Sequence, residues 1–352
     1  AQSEARLFPT QPAIRWRLER PLSRPAIGAN SPEGAIINYF LKDKPKERIS
    51  LDILDSRGEL VDTLKSKPKP KGEKKESPGA GKGPEAPATT EADDDEEEEG
   101  SGEGDYDAEE GAVAKKTVLP TEKGVNRVAW NLRYKGAEKI KGAKVDTGAP
   151  DVGPLVNPGV FTVKLKVGAK VLATAVTVLP DPRMHLSTSE AEEQLKMVLA
   201  LRDDLSRVTR MANQIRSIKK QLEARNELLK GNLKTESLVK PGKELIKKLD
   251  ALEEKLHNPK AQVTYDILAQ RGGAKLLSQF AFLYENAKDA DGAPTQGMRE
   301  VYAEDAHALQ QCATELNALL GGELTKINET AKVLAIPNII VKETKQETTK
   351  KP

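Results

Sequence analysis

The chain has 352 residues, of which 37% are hydrophobic and only 4% are aromatic. Its 56 basic and 54 acidic residues leave a net charge of +2, which argues neither for a nucleic-acid binder nor for an enzyme that acts on acidic substrates. The length suits two domains, and no apolar run approaches the roughly 20 residues that a membrane span requires.

Residues 7–18 end in an alternation in which Ile14, Trp16 and Leu18 oppose two arginines. A period of two residues predicts one strand with a solvated face. Because no hairpin partner precedes this strand, we expect residues 1–20 to belong to something upstream, with Trp16 filling a core or an interface.

Three further segments, rich in apolar and β-branched residues, predict strands over 35–41, 49–54 and 59–65. The turn between the last two contains a glycine, which supplies the positive φ that a hairpin needs. The residues of the returning strand expected to point inward are Leu60, Val61 and Leu64. Strands at this spacing are typical of an antiparallel sandwich, and we assign residues 21–182 to an Ig-like β-sandwich.

Residues 66–116 interrupt that sandwich. They begin rich in lysine, proline and glycine, and they continue through seven consecutive acids at 93–99. Such a composition cannot bury enough apolar area to offset an ordering entropy of roughly 1 to 2 kcal/mol per residue. We therefore expect a disordered basic and acidic insertion. The acids lack the alternating ligands and the loop glycine of a defined calcium site.

The sandwich is expected to centre on two partner strands, over 124–134 and 157–167. The bulkier face of the first strand predicts core positions at Val128, Trp130 and Leu132. Residues 135–155 form a long loop rich in glycine and proline between the two strands. Because long loops often carry function, this loop is the exposed functional candidate.

Several segments follow one another in the order LFPTQPAIRW, GANSPEGAIINYFLKDKP, ISLDILDSRGELV, GVNRVAWNLRY, PGVFTVKL and LPDPR. This succession resembles the C-terminal region of bacterial sortilin-like, Asp-box β-propeller proteins, which are often labelled glycosyl hydrolases. The sandwich part is also similar to the Ig-like domain of flagellar hook-capping proteins, although Asn131 and Phe161 replace the usual Asp and Tyr.

The resemblance implies that residues 1–20 are the trailing strand of a propeller that this chain does not contain. It also implies a secreted, periplasmic or cell-surface protein, although the chain shows no signal-peptide pattern.

From Ser187 the apolar period changes to about 3.5 residues, which predicts a long helix with a stripe from Val198 to Leu229. Further helices are predicted near 243–256, 274–287 and 294–319. A glycine pair at 321–322 is expected to break the last of these before a short amphipathic piece.

We assign residues 187–336 to an antiparallel helical bundle, because each helix has one apolar face, and residues 337–352 to a flexible tail. Alternatively, the long stripe pairs with another chain as a coiled coil and makes a homo-oligomer.

The sequence predicts no catalytic, metal or cofactor site. The histidines are far apart, and surface or capping roles are expected for His185, His257 and His307. Cys312 is expected to be a small core residue. Adjacent carboxylates diverge by about 100° on a helix, so solvated faces are predicted for Asp203, Asp204, Glu253 and Glu254. Basic runs in the helices alternate with glutamate and lack stacking aromatics, which argues against nucleic acid.

Three functions remain open from the sequence. The leading one is a non-catalytic accessory module of a secreted sortilin-like β-propeller protein, which serves assembly, docking or recognition of a protein partner or of its own upstream propeller. The second is a C-terminal supporting region of an active glycoside hydrolase whose catalytic propeller is not in this chain. The third is a coiled-coil oligomerisation module.

Overall fold

The structure is a computed structural model that describes residues 4–16, 34–68, 117–184, 186–268 and 272–341. Within these ranges, a β region precedes a helical region. The strands are β1 (Ala5–Leu7), β2 (Ala13–Arg15), β3 (Ala35–Leu41), β4 (Ser50–Leu54), β5 (Leu60–Lys65), β6 (Gly124–Trp130), β7 (Gly159–Val167) and β8 (Lys170–Pro180). The helices are α1 (Thr188–Leu228), α2 (Glu236–Leu256), α3 (Thr264–Leu268), α4 (Leu276–Asp289), α5 (Gln296–Ala318) and α6 (Thr325–Val333).

The β region contains two sheets. One has the strand order β1-β3-β6 and the other has the order β2-β8-β7-β4-β5. Among the named strands, all pairings are antiparallel except that between β2 and β8, which is parallel. Side chains from both sheets meet in one apolar core, so the sheets cover one another's inner faces.

The expected partnership of the two central strands is wrong. β6 pairs with β3 at the edge of its sheet, whereas β7 lies between β8 and β4 in the other sheet. The two strands meet through side chains, since the rings of Trp130 and Phe161 pack edge to face with centroids 5.3 Å apart. Alternation along a strand shows which side chains point inward, but it does not identify the neighbouring strand.

The predicted core face of β6 is confirmed, because Val128, Trp130 and Leu132 are all buried. The inward orientation predicted for Leu60 is wrong, since that side chain is 58% exposed. The β4–β5 pairing shifts register between Ile53 and Leu54. Such a bulge changes the local alternation and turns Leu60 outward.

The N-terminal segment forms two short strands in place of the single strand predicted over 7–18. β1 pairs with β3 and β2 pairs with β8, so the described part of residues 1–20 is built into both sheets. Pro9 and Pro12 lie between the two strands, and neither can donate a main-chain hydrogen bond. The upstream propeller itself stays a prediction.

Most of the expected insertion, residues 69–116, lies outside the described residues. Its two flanks lie side by side at β5, because Leu119 N–H donates to Lys65 O at 3.1 Å and Val118 bridges Lys65. Ser66 N–H donates to Ile49 O at 3.0 Å, which holds the outgoing flank against β4.

α1 forms the spine of the helical region. It begins at a capping box, in which Ser187 and Glu190 bond reciprocally. α2 runs antiparallel to α1, because Arg216 pairs with Glu253 and Lys219 pairs with Asp250. α4 packs on α1 as well, and Gln194 near the start of α1 donates to Ala287 O near the end of α4. α5 also packs on α1. The buried stripe of α1 includes Leu201, Leu205, Val208, Ala212, Ile215 and Leu222. Because the helices of this chain cover that stripe, it is not exposed to pair with another chain.

The glycine pair at 321–322 does not break the chain's last long helix. A π-helical turn over Leu319–Leu324 joins α5 to α6, and both of its ends keep right-handed helical angles. A glycine weakens a helix by only about 1 kcal/mol, so burial of Leu319 and Leu324 in the helical core outweighs it.

Candidate functional site

The loop between β6 and β7 closes on itself. Tyr134 N–H donates to Pro154 O at 2.9 Å, and Ala137 N–H donates to Pro150 O at 2.8 Å. The two sides approach so closely that a Cβ on Gly153 would lie 1.7 Å from Tyr134 O. The glycines of this segment therefore permit a tightly packed loop and do not signal a mobile one.

The first half of the loop packs on α1. Ala137 and Ile140 are buried in the core of the helical region. Glu138 N–H donates to Ser206 Oγ at 3.1 Å, and Thr209 Oγ1 donates to Glu138 O at 2.9 Å. Side chains of α1 thus provide hydrogen-bond partners for the main chain of the loop, and the apolar side chains of the loop are buried.

The second half of the loop packs on α4. Tyr284 donates its hydroxyl proton to Val152 O at 2.8 Å, and Ala149 N–H donates to Glu285 Oε2 at 3.0 Å. The loop 135–155 is therefore the joint between the β region and the helical region. The expectation of an exposed loop is wrong for the residues that pack on the helices, such as Ala137 and Ile140, and a functional role of the loop stays a prediction.

A buried ionic cluster adjoins this joint where α1 crosses α2. Glu253 is 4% exposed and accepts hydrogen bonds from Arg216 Nε at 2.7 Å and from Lys219 Nζ at 2.9 Å. His257 Nε2 lies 2.9 Å from the same carboxylate. Arg216 also donates to Lys141 O in the loop at 3.1 Å. The prediction of a solvated face is wrong for Glu253, because α2 turns this residue toward the basic side of α1.

Three side chains of this cluster are hydrogen-bond partners of the Glu253 carboxylate. Burial opposes ionisation of Glu253, but hydrogen bonds from His257, Lys219 and Arg216 outweigh it and lower the pKa of the carboxyl to about 2. A general acid or base needs a pKa near the working pH. Glu253 therefore stays ionised at neutral pH and holds α1, α2 and the loop together.

The remaining titratable candidates do not converge. Asp305 of α5 is 9% exposed, and burial together with Glu304 raises its pKa to about 6. Its Oδ2 makes no hydrogen bond. Cys312 is buried as predicted, and burial raises the pKa of its thiol, which disfavours the reactive thiolate. His307 is exposed on α5, and His185 lies outside the described residues.

A shallow concavity of about 440 Å³ lies between α2, α4 and α5. Lys255 and Glu315 line it, and they pair with each other at 2.7 Å. Across the described ranges, no group of three or more His, Cys, Asp or Glu residues is placed to hold a metal ion. None of the helices described here has the length and apolarity needed to cross a membrane.

The outer face of the second sheet exposes apolar side chains near its β2 edge. Ile14 lies opposite Leu179 in the β2–β8 pairing, and Val160 lies opposite Thr177 in the β7–β8 pairing. Ile14, Leu179 and Val160 are 45%, 42% and 55% exposed. Trp16, two residues beyond Ile14, is 42% exposed. We call Ile14, Trp16, Val160, Thr177 and Leu179 together the apolar outer face.

Sequence reasoning missed the apolar outer face, although β8 carried a signal for it. The outward positions of β8 contain no charged residue and are Val171, Ala173, Ala175, Thr177 and Leu179. A solvated strand normally places polar residues at such positions.

Comparison of the chain with protein-family models, with curated proteins and with solved structures finds no match.

Proposed function

We propose that this chain is a non-catalytic interaction module of a secreted sortilin-like β-propeller protein. The ordered segments from LFPTQPAIRW to LPDPR support the family. The two facing sheets and the packed helices support its finer architecture, an Ig-like sandwich followed by a helical bundle. The single observation that carries the function is the apolar outer face.

The apolar outer face suits contact with another protein. Ile14, Leu179, Thr177 and Val160 lie on three neighbouring strands, so they form a strip and not scattered single residues. Trp16 follows β2 at one end of this strip. Exposed apolar surface is unfavourable by roughly 25 cal/mol per Å², and a contiguous patch of it marks interaction sites. We propose that the occupant is a protein partner, either separate or the propeller that the resemblance implies.

A binding experiment tests this assignment. The upstream reading frame is expressed, and its product is titrated with residues 1–352 by isothermal calorimetry. We expect binding by the wild type, together with protection of Trp16 from hydroxyl-radical oxidation. Leu179→Ser and Ile14→Ser should each weaken binding by about tenfold, which corresponds to 1.4 kcal/mol.

Val125→Ser is the matched control, because Val125 is 69% exposed on the other sheet. It should bind like the wild type. Equal affinities for all three variants would refute the assigned surface. Hydrolysis of any member of a glycan panel by residues 1–352 alone would refute the non-catalytic role.

A further inference from the structure

After α6 the chain turns back and lies in a groove between α1 and α6. Gln221 of α1 both donates to Ile340 O at 2.9 Å and accepts from Ile340 N–H at 2.8 Å. Asn328 of α6 does the same for Ile339, at 3.0 and 2.9 Å. We call this the tail groove, formed by Gln221, Asn328 and the helix surfaces between them. Part of the expected flexible tail, residues 337–341, is thus docked.

The tail groove recognises main chain. Each side-chain amide makes two hydrogen bonds with one residue, as a neighbouring β-strand does. Ile339 is 5% exposed and anchors the segment, whereas Ile340 is 68% exposed. Consecutive side chains therefore point to opposite sides, as in an extended strand. Such a groove accepts any extended peptide that has one apolar anchor.

One charged group of this helix face has no partner. Arg225 lies one helical turn beyond Gln221, on the same face of α1, and it is 7% exposed. None of its three guanidinium nitrogens makes a hydrogen bond. Helical side chains lean toward the N-terminus, which brings Arg225 toward the level of Gln221.

The segment that occupies the tail groove cannot neutralise Arg225. Residues 336–341 read IPNIIV and contain no acidic side chain. A buried guanidinium without a counter-ion is strongly unfavourable, and a carboxylate is its best partner because two parallel hydrogen bonds form. The groove therefore combines main-chain recognition, one apolar anchor position and one unsatisfied positive charge.

We propose that the tail groove binds an extended acidic peptide of a partner protein, and that residues 336–341 occupy it in the absence of that partner. A carboxylate of the peptide pairs with Arg225, and the main chain of the peptide replaces that of Ile339 and Ile340 on Asn328 and Gln221. This site lies on the helical region and is independent of the apolar outer face.

The test uses the full chain and synthetic peptides. The neutral peptide is acetyl-Pro-Asn-Ile-Ile-Val-amide, and five acidic peptides each carry a single Glu at one of its positions. Ile339→Ser removes the apolar anchor and should release the chain's own segment, which otherwise competes at high effective concentration. We expect Ile339→Ser to bind the peptides more tightly than the wild type, measured by isothermal calorimetry at low salt.

Two further substitutions in the Ile339→Ser background separate the parts of the site. Gln221→Ala should abolish binding of all peptides. Arg225→Met should leave the neutral peptide unaffected while it removes the advantage of the best acidic peptide, which we expect to be about tenfold. An acidic advantage that survives Arg225→Met, or the absence of any advantage, would overturn the proposal.

Circular dichroism establishes whether Ile339→Ser keeps the wild-type helicity. If it does not, amide exchange of Ile339 and Ile340 in the wild type decides the question. Faster exchange on addition of the acidic peptide supports displacement of the chain's own segment, and unchanged exchange at saturating peptide contradicts it. A concentration-dependent dimer of Ile339→Ser that excludes the peptides would assign the groove to a second copy and would also overturn the proposal.

Discussion

Two carboxylates in the helical region are almost equally buried, and yet their pKa values are shifted in opposite directions. Glu253 in α2 is 4% exposed with a pKa lowered to about 2, whereas Asp305 in α5 is 9% exposed with a pKa raised to about 6. Arg216, Lys219 and His257 surround the first, while an oxygen of the second has no hydrogen-bond partner. Burial alone thus does not set the charge state; the supply of donors does.

The first of these carboxylates connects structural elements, whereas the second weakens the packing of α5. Glu253 binds α1, α2 and, through Arg216, the loop that connects the β region. Asp305 interrupts the apolar side of α5 between Tyr302 and Leu309, where a hydrocarbon side chain would pack better. The first carboxylate stabilises the fold at neutral pH, and the second destabilises it.

Glu253→Ala should have the largest effect. It leaves Arg216 and the buried His257 without their anion, whereas Lys219 keeps Asp250, so we expect a loss of about 3 kcal/mol in the free energy of unfolding. Urea denaturation at pH 7 measures this loss. Glu254→Gln is the matched control on the exposed face of the same helix and should unfold like the wild type. A loss below about 1 kcal/mol would mean that the cluster does not join the helices.

The free energy of unfolding at acidic pH should also depend on Glu253. Its pKa falls from 4.5 in the unfolded chain to about 2 in the folded one, so its contribution is present above pH 4.5 and is lost as the pH falls toward 2. Glu253→Gln should flatten that part of the profile.

Asp305→Asn should have a smaller effect of the opposite sign. The folded pKa of about 6 lies above the ordinary value of 3.8, so the wild type loses stability as the pH rises from about 4 through 6. The amide removes the charge, and we expect a gain of about 1 to 2 kcal/mol at pH 7.5. Denaturation between pH 4 and 8 measures it. The same gain at pH 4 would show that ionisation is not the cause.

The environment of Glu253 was predicted wrongly from the sequence. Adjacent acids were expected to be solvated, because one sequence does not reveal which helix covers which face. The position of Glu253 carried a signal, since it follows Leu252 and precedes Leu256 by three residues, at the border of the apolar stripe of α2. Its three donors come largely from α1, which lies about 35 residues earlier in the chain.

The sequence patterns predicted correctly those features that depend on residues close together in the chain. Alternation identified the inward face of β6, and the helical period identified the buried stripe of α1. Strand partners, the π-helical turn after α5 and the docking of the loop 135–155 depend on distant contacts. Ala137 and Ile140, apolar residues within a polar loop, were the available signal that this loop packs against something.

Arg210→Ala should have the smallest effect on the free energy of unfolding, and it tests whether an exposed ion pair contributes as much as the buried carboxylate. Arg210 pairs with Glu138 at 2.6 Å and, like Arg216, it connects α1 to the loop 135–155. Its carboxylate partner is 44% exposed, whereas the Glu253 side chain that Arg216 contacts is 5% exposed. Solvent screens such a pair, so we expect a loss of only about 0.5 kcal/mol, which decreases further at high salt. A loss as large as that of Glu253→Ala would show that contact with the loop, and not burial of the ion pair, holds the two regions together.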